Sequence, residues 1–338
     1  AQALGFVSSD NNGSEGLEAY YNDELSGTAG KVVTSKGNYG SEMLYTYEKY
    51  YDASDGSSLI TTIDSTVQAY VEKNLQNAID KYDIKNGAFC IVMDVNTGEI
   101  KAMATLGSYD PNNYLEIYDD TTALLLENER AAALALPEAS AAYEAAIETY
   151  KQDVAAARMA QWRNRCVSDG YEPGSTFKLI TLASALDSGA VTLNDSFYCG
   201  GQEKFTGREQ ILNCWKSAGH GAQTTAQALG NSCNIAFGHI GLRMGGDTFY
   251  DYLKSFGIME KTGVDLPGEA SGLFYERKYL NDPANYGTSY LITSSFGQSF
   301  RITPMQLVRA VAAIVNGGYV LEPYIVSEVV DADGNTVE

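Results

Sequence analysis

A serine and a lysine three positions apart have the clearest potential for chemistry in this chain. They lie in the segment Glu172-Pro173-Gly174-Ser175-Thr176-Phe177-Lys178. Pro-Gly predicts a turn and the apolar residues after it predict a helix, so we expect Ser175 at a helix N-terminus and Lys178 one turn later on the same face. The positive end of a helix favours an oxyanion, and a lysine that loses hydration beside a serine has a lowered pKa and can accept the serine proton. In the alternative interpretation Ser175 only caps the helix and Lys178 is solvated, which is the commoner role of each residue type.

A second polar pair favours the catalytic interpretation. Ser232 and Asn234 follow 57 residues after Ser175, in Gly230-Asn231-Ser232-Cys233-Asn234. Residues two apart point the same way on an extended or turn segment. A hydroxyl and an amide placed in this way can pass a proton and hold a substrate amide.

The elements that must position these residues are indicated by periodicity and turn signals. Residues 88–104 predict a β-hairpin around Asn96-Thr97-Gly98, and a helix is predicted to begin at Asp64-Ser65. Residues 121–160 predict two helices broken near Pro137, which we interpret as a surface insertion rather than a partner-binding arm. Thr303-Pro304 and Gly317 bracket a late helix with an apolar stripe.

Composition excludes several classes of function. The 338 residues include 43 acidic and 23 basic side chains, which gives a net charge of −20. Such a chain is poorly suited to bind nucleic acid or an anionic membrane through a basic patch. No metal site is expected, because the five cysteines form no C-x-x-C pair and His220 and His239 are the only histidines.

Serine-x-x-lysine followed by a serine–asparagine motif is part of the signature of class A β-lactamases and penicillin-binding proteins. With these motifs, the chain resembles the class B penicillin-binding proteins, the monofunctional D,D-transpeptidases of peptidoglycan synthesis. Further similarities are Met93 to Met103, which is similar to their first hairpin, Trp162-Arg163-Asn164-Arg165 before the nucleophile, and Thr303-Pro304-Met305-Gln306.

The resemblance implies a role for each residue of the two motifs. Ser175 would attack the D-Ala-D-Ala carbonyl of a stem peptide to form an acyl-enzyme, with Lys178 as its base. Ser232 would relay the proton to the leaving D-Ala, Asn234 would bind the substrate amide, and Cys233 would lie beside it at the substrate. An amine of a second strand would then complete the cross-link, and β-lactams would acylate the same serine. No cofactor is implied.

The resemblance also implies an organisation and a location. The fold would be of the α+β type, an antiparallel sheet flanked by helices with a helical subdomain. Residues 1–52 would be a remnant of the N-terminal pedestal and 53–338 an incomplete transpeptidase domain, truncated before its K-[TS]-G strand. The intact protein would be anchored in the cytoplasmic membrane with this part outside. A membrane glycan polymerase and other cell-wall synthesis proteins are its expected partners.

Two literal motifs are not expected to be catalytic. Ser9-Asp10-Asn11 lies in a polar, turn-rich stretch upstream of the nucleophile. Lys261-Thr262-Gly263 has two glycines and a proline nearby, which predicts a loop rather than the strand that this motif requires. We therefore expect that Lys261 takes no part in catalysis.

Two other functions remain open at this point. A class D-like serine β-lactamase shares the Ser-Thr-Phe-Lys tetrad, and it would hydrolyse penicillin rather than hold it. A non-catalytic β-lactam sensor or scaffold domain would be acylated without transpeptidation. The cysteines carry a separate hypothesis, that Cys214 and Cys233 form a disulfide beside the site. Its alternative is buried free thiols.

Overall fold

The structure is a computed structural model that describes residues 1–34, 48–85, 87–138, 140–282 and 287–337. Its helices are α1 (Gly16–Tyr20), α2 (Asn22–Ser26), α3 (Ser65–Tyr82), α4 (Asp120–Leu134), α5 (Ala141–Trp162), α6 (Arg165–Ser168), α7 (Lys178–Asp187), α8 (Thr225–Gly230), α9 (Asn234–Met244), α10 (Gly246–Ser255), α11 (Arg277–Leu280), α12 (Gly287–Ser294) and α13 (Pro304–Val315). Short 3₁₀ helices cover Pro111–Asn113 and Gly174–Phe177.

The strands of the described residues form antiparallel pairs. The pairs are β1 (Phe6–Val7) with β2 (Gly13–Glu15), β3 (Lys31–Thr34) with β4 (Glu48–Tyr51), β5 (Ser58–Thr61) with β12 (Val326–Val330), β6 (Phe89–Met93) with β7 (Ile100–Thr105), β8 (Ser196–Cys199) with β11 (Gly221–Thr224), and β9 (Gln202–Glu203) with β10 (Leu212–Asn213). A bridge between Glu99 and Tyr324 joins the β6–β7 hairpin to the segment that leads into β12. Antiparallel strands flanked by helices confirm the expected α+β class.

Two hydrophobic clusters hold these elements together. The larger one gathers apolar residues of α7, α9, α10, α12 and α13 and the turn before α7, including Phe177, Phe237 and Ile292, each 0% exposed. The smaller one lies against the β6–β7 hairpin and includes Ile100 and Met305. Burial of this kind stabilises by roughly 25 cal/mol per Å² of apolar surface. The helices that carry the candidate chemistry therefore rest on the larger cluster.

The end signals of the predicted helices are confirmed. Asp64 accepts hydrogen bonds from the backbone N–H groups of Thr66 and Val67 at the start of α3. Thr303 and Gln306 form a reciprocal capping box at the start of α13, with Pro304 as its first residue. These caps satisfy amide groups that have no partner inside the helix, so they determine where each helix begins.

The prediction of two helices in residues 121–160 is also confirmed. The helices α4 and α5 pack on each other, and Pro137 lies in the break between them. Leu124, Leu125 and Met159 are exposed on them. Whether the pair is an insertion, and where the pedestal would end, remain predictions; residues 35–47 of the expected pedestal lie outside the described residues.

A close approach of two glycines fixes the turn before α7. The Gly174 N–H donates to the Gly297 carbonyl at 2.9 Å. Gly297 has a φ of +83°, and a Cβ placed there would lie 2.0 Å from the Gly174 carbonyl oxygen. A side chain at position 297 would therefore push the loop after α12 away from the turn that carries Ser175.

We predict that Gly297→Ala destabilises the fold more than Gly189→Ala does. Gly189 has a similar φ of +71°, but a Cβ added there would meet no atom within 4 Å, so its substitution costs only the left-handed backbone penalty of about 1–2 kcal/mol. The collision at Gly297 adds roughly 1–3 kcal/mol. Urea unfolding of both variants measures the difference, and equal losses of unfolding free energy would contradict the prediction.

Candidate active site

Ser175 and Lys178 meet because a 3₁₀ turn leads directly into α7. In 3₁₀ geometry residues three apart are eclipsed, and the backbone N–H of Lys178 donates to the Ser175 carbonyl. The Lys178 Nζ lies 2.9 Å from the Ser175 Oγ. Ser175 is exposed, while Lys178 is only 1% exposed. The expected pairing is confirmed, but Ser175 lies in the 3₁₀ turn that precedes α7 rather than at the N-terminus of the α-helix itself.

Ser232 and Asn234 reach the same amine from the turn between α8 and α9. Lys178 Nζ donates to the Ser232 Oγ at 3.0 Å, to the Ser232 carbonyl at 3.0 Å and to the Asn234 Oδ1 at 2.7 Å. Ser232 has a φ of +50°, in the left-handed region, and Asn234 is the first residue of α9. The two motifs recognised in the sequence therefore converge on one nitrogen.

The position of Lys178 changes its acid–base chemistry. Burial lowers the pKa of Lys178 to about 8, and the neighbouring Cys214 and Cys233 thiols oppose this shift only in part. The rings of Phe237 and Phe296 lie 5.6 and 6.0 Å from the amine. Because the neutral amine is accessible near neutral pH, Lys178 can accept the Ser175 proton across 2.9 Å.

A loop that the sequence interpretation did not single out supports the nucleophile turn. The Ser299 N–H donates to the Glu172 carboxylate at 2.8 Å. Tyr171 and Ile302 exchange backbone hydrogen bonds beside it. With the Gly174–Gly297 contact, these bonds attach the segment before Ser175 to residues 297–302. The available sequence signal was Gly297, which with Gln298 and Ser299 after it indicates a turn.

The two decoy motifs are loops, as expected. Lys261-Thr262-Gly263 forms no strand, and the Thr262 backbone and hydroxyl both donate to the carboxylate of the buried Glu269. The Arg309 guanidinium donates to the Thr262 carbonyl. The hydrogen bonds of Thr262 to Glu269 and Arg309 therefore hold this segment in its loop conformation. That Lys261 takes no part in catalysis remains a prediction. Ser9-Asp10-Asn11 lies in a turn between β1 and β2.

Cysteines lie directly behind the Ser232–Asn234 turn. The Cys214 and Cys233 sulfur atoms are 4.0 Å apart, and both residues are free thiols. Such proximity is compatible with the predicted disulfide, which remains a prediction. Cys199 and His220 join the same group, which the sequence interpretation missed because the four residues come from four separate segments. His239, by contrast, lies half-buried on α9 with its Nε2 2.8 Å from the Glu203 carboxylate.

Comparison with known proteins identifies the family. Residues 88–338 match the model of the penicillin-binding protein transpeptidase domain. The chain belongs to this family. It is 35% identical to stage V sporulation protein D of Bacillus subtilis over 332 residues, which are 98% of this chain and 44% of that protein. It is 27% identical to the peptidoglycan D,D-transpeptidase FtsI of Escherichia coli, over 94% of this chain and 45% of that one.

Solved structures agree with this assignment. Penicillin-binding protein 3 of Mycobacterium tuberculosis, in complex with aztreonam, is 25% identical and has a TM-score of 0.74, with 100% of this chain and 61% of that chain covered. A peptidoglycan synthetase from Bifidobacterium adolescentis is 26% identical with the same TM-score, and 100% of this chain and 52% of that one are covered. The resemblance to class B penicillin-binding proteins is confirmed. The chain spans less than half the length of the curated relatives named above.

We predict that Lys178 titrates separately from the other lysines. A lysine Cε resonance should titrate near pH 8, below the ordinary lysine pKa of about 10.4, because burial disfavours the ammonium form. NMR of protein labelled at lysine Cε measures this pKa. The resonance should be missing in Lys178→Met and present in the control Lys261→Met. Titration of every lysine near its ordinary pKa would refute the assignment.

Proposed function

We propose that this chain is the part of a peptidoglycan D,D-transpeptidase that carries the serine nucleophile and is acylated on Ser175. The convergence of Ser175, Ser232 and Asn234 on the buried amine of Lys178 carries the proposal. An exposed nucleophile beside a buried base of lowered pKa is the arrangement that acyl transfer through a covalent intermediate requires. Membership of the transpeptidase family supports the same reaction class.

The geometry supports a role for each residue. The Ser175 Oγ attacks the carbonyl carbon of the penultimate D-Ala, and its proton passes to the neutral Nζ of Lys178. The C–N bond to the terminal D-Ala then breaks, and the proton reaches the leaving amine through the Ser232 hydroxyl, 3.0 Å from Nζ. The Asn234 Oδ1 faces Lys178, which leaves its amide N–H groups to donate to the substrate.

The second half-reaction regenerates the serine. The amine of another stem peptide attacks the acyl-enzyme carbonyl, loses its proton to the Ser232–Lys178 pair, and releases the Ser175 Oγ, which takes a proton back. One ester bond breaks and one amide bond forms, so atoms and charge balance. Cys233 is buried between Ser232 and Asn234, so its proposed role at the substrate is exercised through the backbone of this turn.

Substrates, partners and location follow from the proposed reaction. Stem peptides ending in D-Ala-D-Ala are the proposed substrates, and β-lactams, which present a strained amide to the same serine, are proposed covalent ligands. The intact protein would work outside the cytoplasmic membrane with a membrane glycan polymerase and other cell-wall synthesis proteins. Among the described helices none is long and apolar enough to cross a membrane.

We predict distinct effects of three substitutions on labelling of the complete gene product by fluorescent penicillin. Ser175→Ala removes the nucleophile and should abolish labelling. Lys178→Arg retains a positive charge but cannot be deprotonated, so the labelling rate should fall by about 10²–10⁴-fold. Lys261→Arg is the matched control and should label at the rate of the unmodified protein.

The outcomes separate the proposal from its rivals. Labelling that survives Ser175→Ala, or that is lost in a folded Lys261→Arg, would refute the assigned site. Rapid release of hydrolysed penicillin would favour a serine β-lactamase instead. A stable adduct without cross-linking of a stem-peptide donor to an amine acceptor would favour a sensor or scaffold.

A further inference from the structure

A group of three cysteines and one histidine lies behind the Ser232–Asn234 turn. The ligand atoms of Cys199, Cys214, His220 and Cys233 all lie within 4.8 Å of one another. The proposed acyl transfer uses none of these side chains as acid, base or nucleophile. Three thiols and an imidazole are a donor set that zinc prefers in closed structural sites.

The distances approach those of a tetrahedral metal site. Zn–S bonds of about 2.3 Å and Zn–N bonds of about 2.0 Å place the corners of a tetrahedron about 3.8 Å apart for two sulfurs and about 3.5 Å for sulfur and nitrogen. The Cys214 and Cys233 sulfurs are 4.0 Å apart, and the Cys214 sulfur is 3.7 Å from the His220 Nδ1. Contraction by a few tenths of an ångström at each of these two edges would fit the ion.

Burial makes the group a closed site rather than a surface cluster. Cys199, Cys214 and Cys233 are 1%, 6% and 0% exposed. The Nε2 of His220 is buried without a hydrogen-bond partner among the described residues, so the imidazole is desolvated with only weak compensation from a thiol. The other ring nitrogen, Nδ1, faces the Cys214 sulfur at 3.7 Å and is the one placed to bind a metal.

Backbone N–H groups point at the sulfur atoms of two of the cysteines. The N–H groups of Lys216 and Asn234 donate to the Cys214 sulfur, and the Ala236 N–H donates to the Cys233 sulfur. Cys233 is the N-cap residue of α9, whose positive end favours an anion. Thiolate is the form that binds metal.

Tight turns at glycine residues hold the proposed ligands close together in the metal-free chain. Cys199 ends β8 opposite Gly221, the residue after His220. The Cys214 N–H donates to the Gly201 carbonyl at 2.8 Å, and a Cβ at Gly201 would lie 1.9 Å from the Ser217 carbonyl oxygen. The loops that carry three of the ligands are therefore closely packed on one another.

We propose that Cys199, Cys214, His220 and Cys233 bind one zinc ion, which fastens the Ser232–Asn234 turn to the β8–β11 strand pair. Each cysteine gives up its proton to solvent on binding, so three thiolates and a neutral imidazole around Zn²⁺ carry a net charge of −1. Because Cys214 and Cys233 would be ligands, zinc and the Cys214–Cys233 disulfide exclude each other.

Metal analysis of the purified whole chain, without an affinity tag that binds metal, tests the proposal. We expect about one zinc per chain by mass spectrometry of the metal. Cys199→Ser and His220→Ala should each lose it, while Cys90→Ser, a free cysteine outside the group, should retain it. Cys199→Ser is decisive because it leaves both cysteines of the disulfide intact.

Cobalt spectroscopy of the unmodified chain keeps the test valid if a variant fails to fold. Reduced, metal-free protein titrated with Co²⁺ should show thiolate-to-cobalt charge transfer and the intense ligand-field bands of tetrahedral cobalt, saturating at one equivalent. Zinc retained by Cys199→Ser, cobalt spectra without thiolate bands, or a metal-free chain with a Cys214–Cys233 disulfide and no uptake after reduction would overturn the proposal. None of these readouts depends on acylation of Ser175.

Discussion

The site depends on a lysine amine that is removed from water and surrounded by oxygen atoms. Desolvation of an ammonium ion costs several kcal/mol even after relaxation, and Lys178 is 1% exposed. The cost is offset in part by four oxygen atoms of Ser175, Ser232 and Asn234, which lie 2.7–3.0 Å from the nitrogen and share its three N–H groups. Each of these residues is thereby held on the amine, and the remaining penalty appears as a pKa lowered to about 8. One buried nitrogen therefore assembles the site and, in the proposed reaction, also provides its base.

The backbone conformation of two turns places oxygen atoms around the Lys178 nitrogen. Ser232 has a φ of +50°, a conformation that costs a non-glycine residue about 1–2 kcal/mol. In that conformation its carbonyl and hydroxyl oxygens both accept from Lys178, which recovers part of the cost. On the other side, the Gly174–Gly297 contact holds the 3₁₀ turn of Ser175. Strain of this kind, kept where the surrounding contacts enforce it, is a mark of functional sites.

Local signals in the sequence predicted the elements and the contact between Ser175 and Lys178 well, for a physical reason. The spacing of Ser175 and Lys178, the caps at Asp64 and Thr303 and the break at Pro137 act within a few residues, and the structure has them where the sequence placed them. The contact between Glu172 and Ser299 spans 127 residues and leaves no local pattern. The same holds for the cysteine–histidine group, whose ligand spacing matches no short metal motif. The sequence alone did not predict which distant loops are brought together when the two hydrophobic clusters form.

The pH dependence of acylation tests most directly whether Lys178 is the base. The second-order rate constant for reaction of Ser175 with a penicillin that carries no titrating group in the range should be measured from about pH 6 to about pH 10. If Lys178 is the base, the rate rises with pH as the amine loses its proton, with a midpoint near pH 8, and then levels off. A rate that is independent of pH, or that falls as pH rises through this range, would contradict that role.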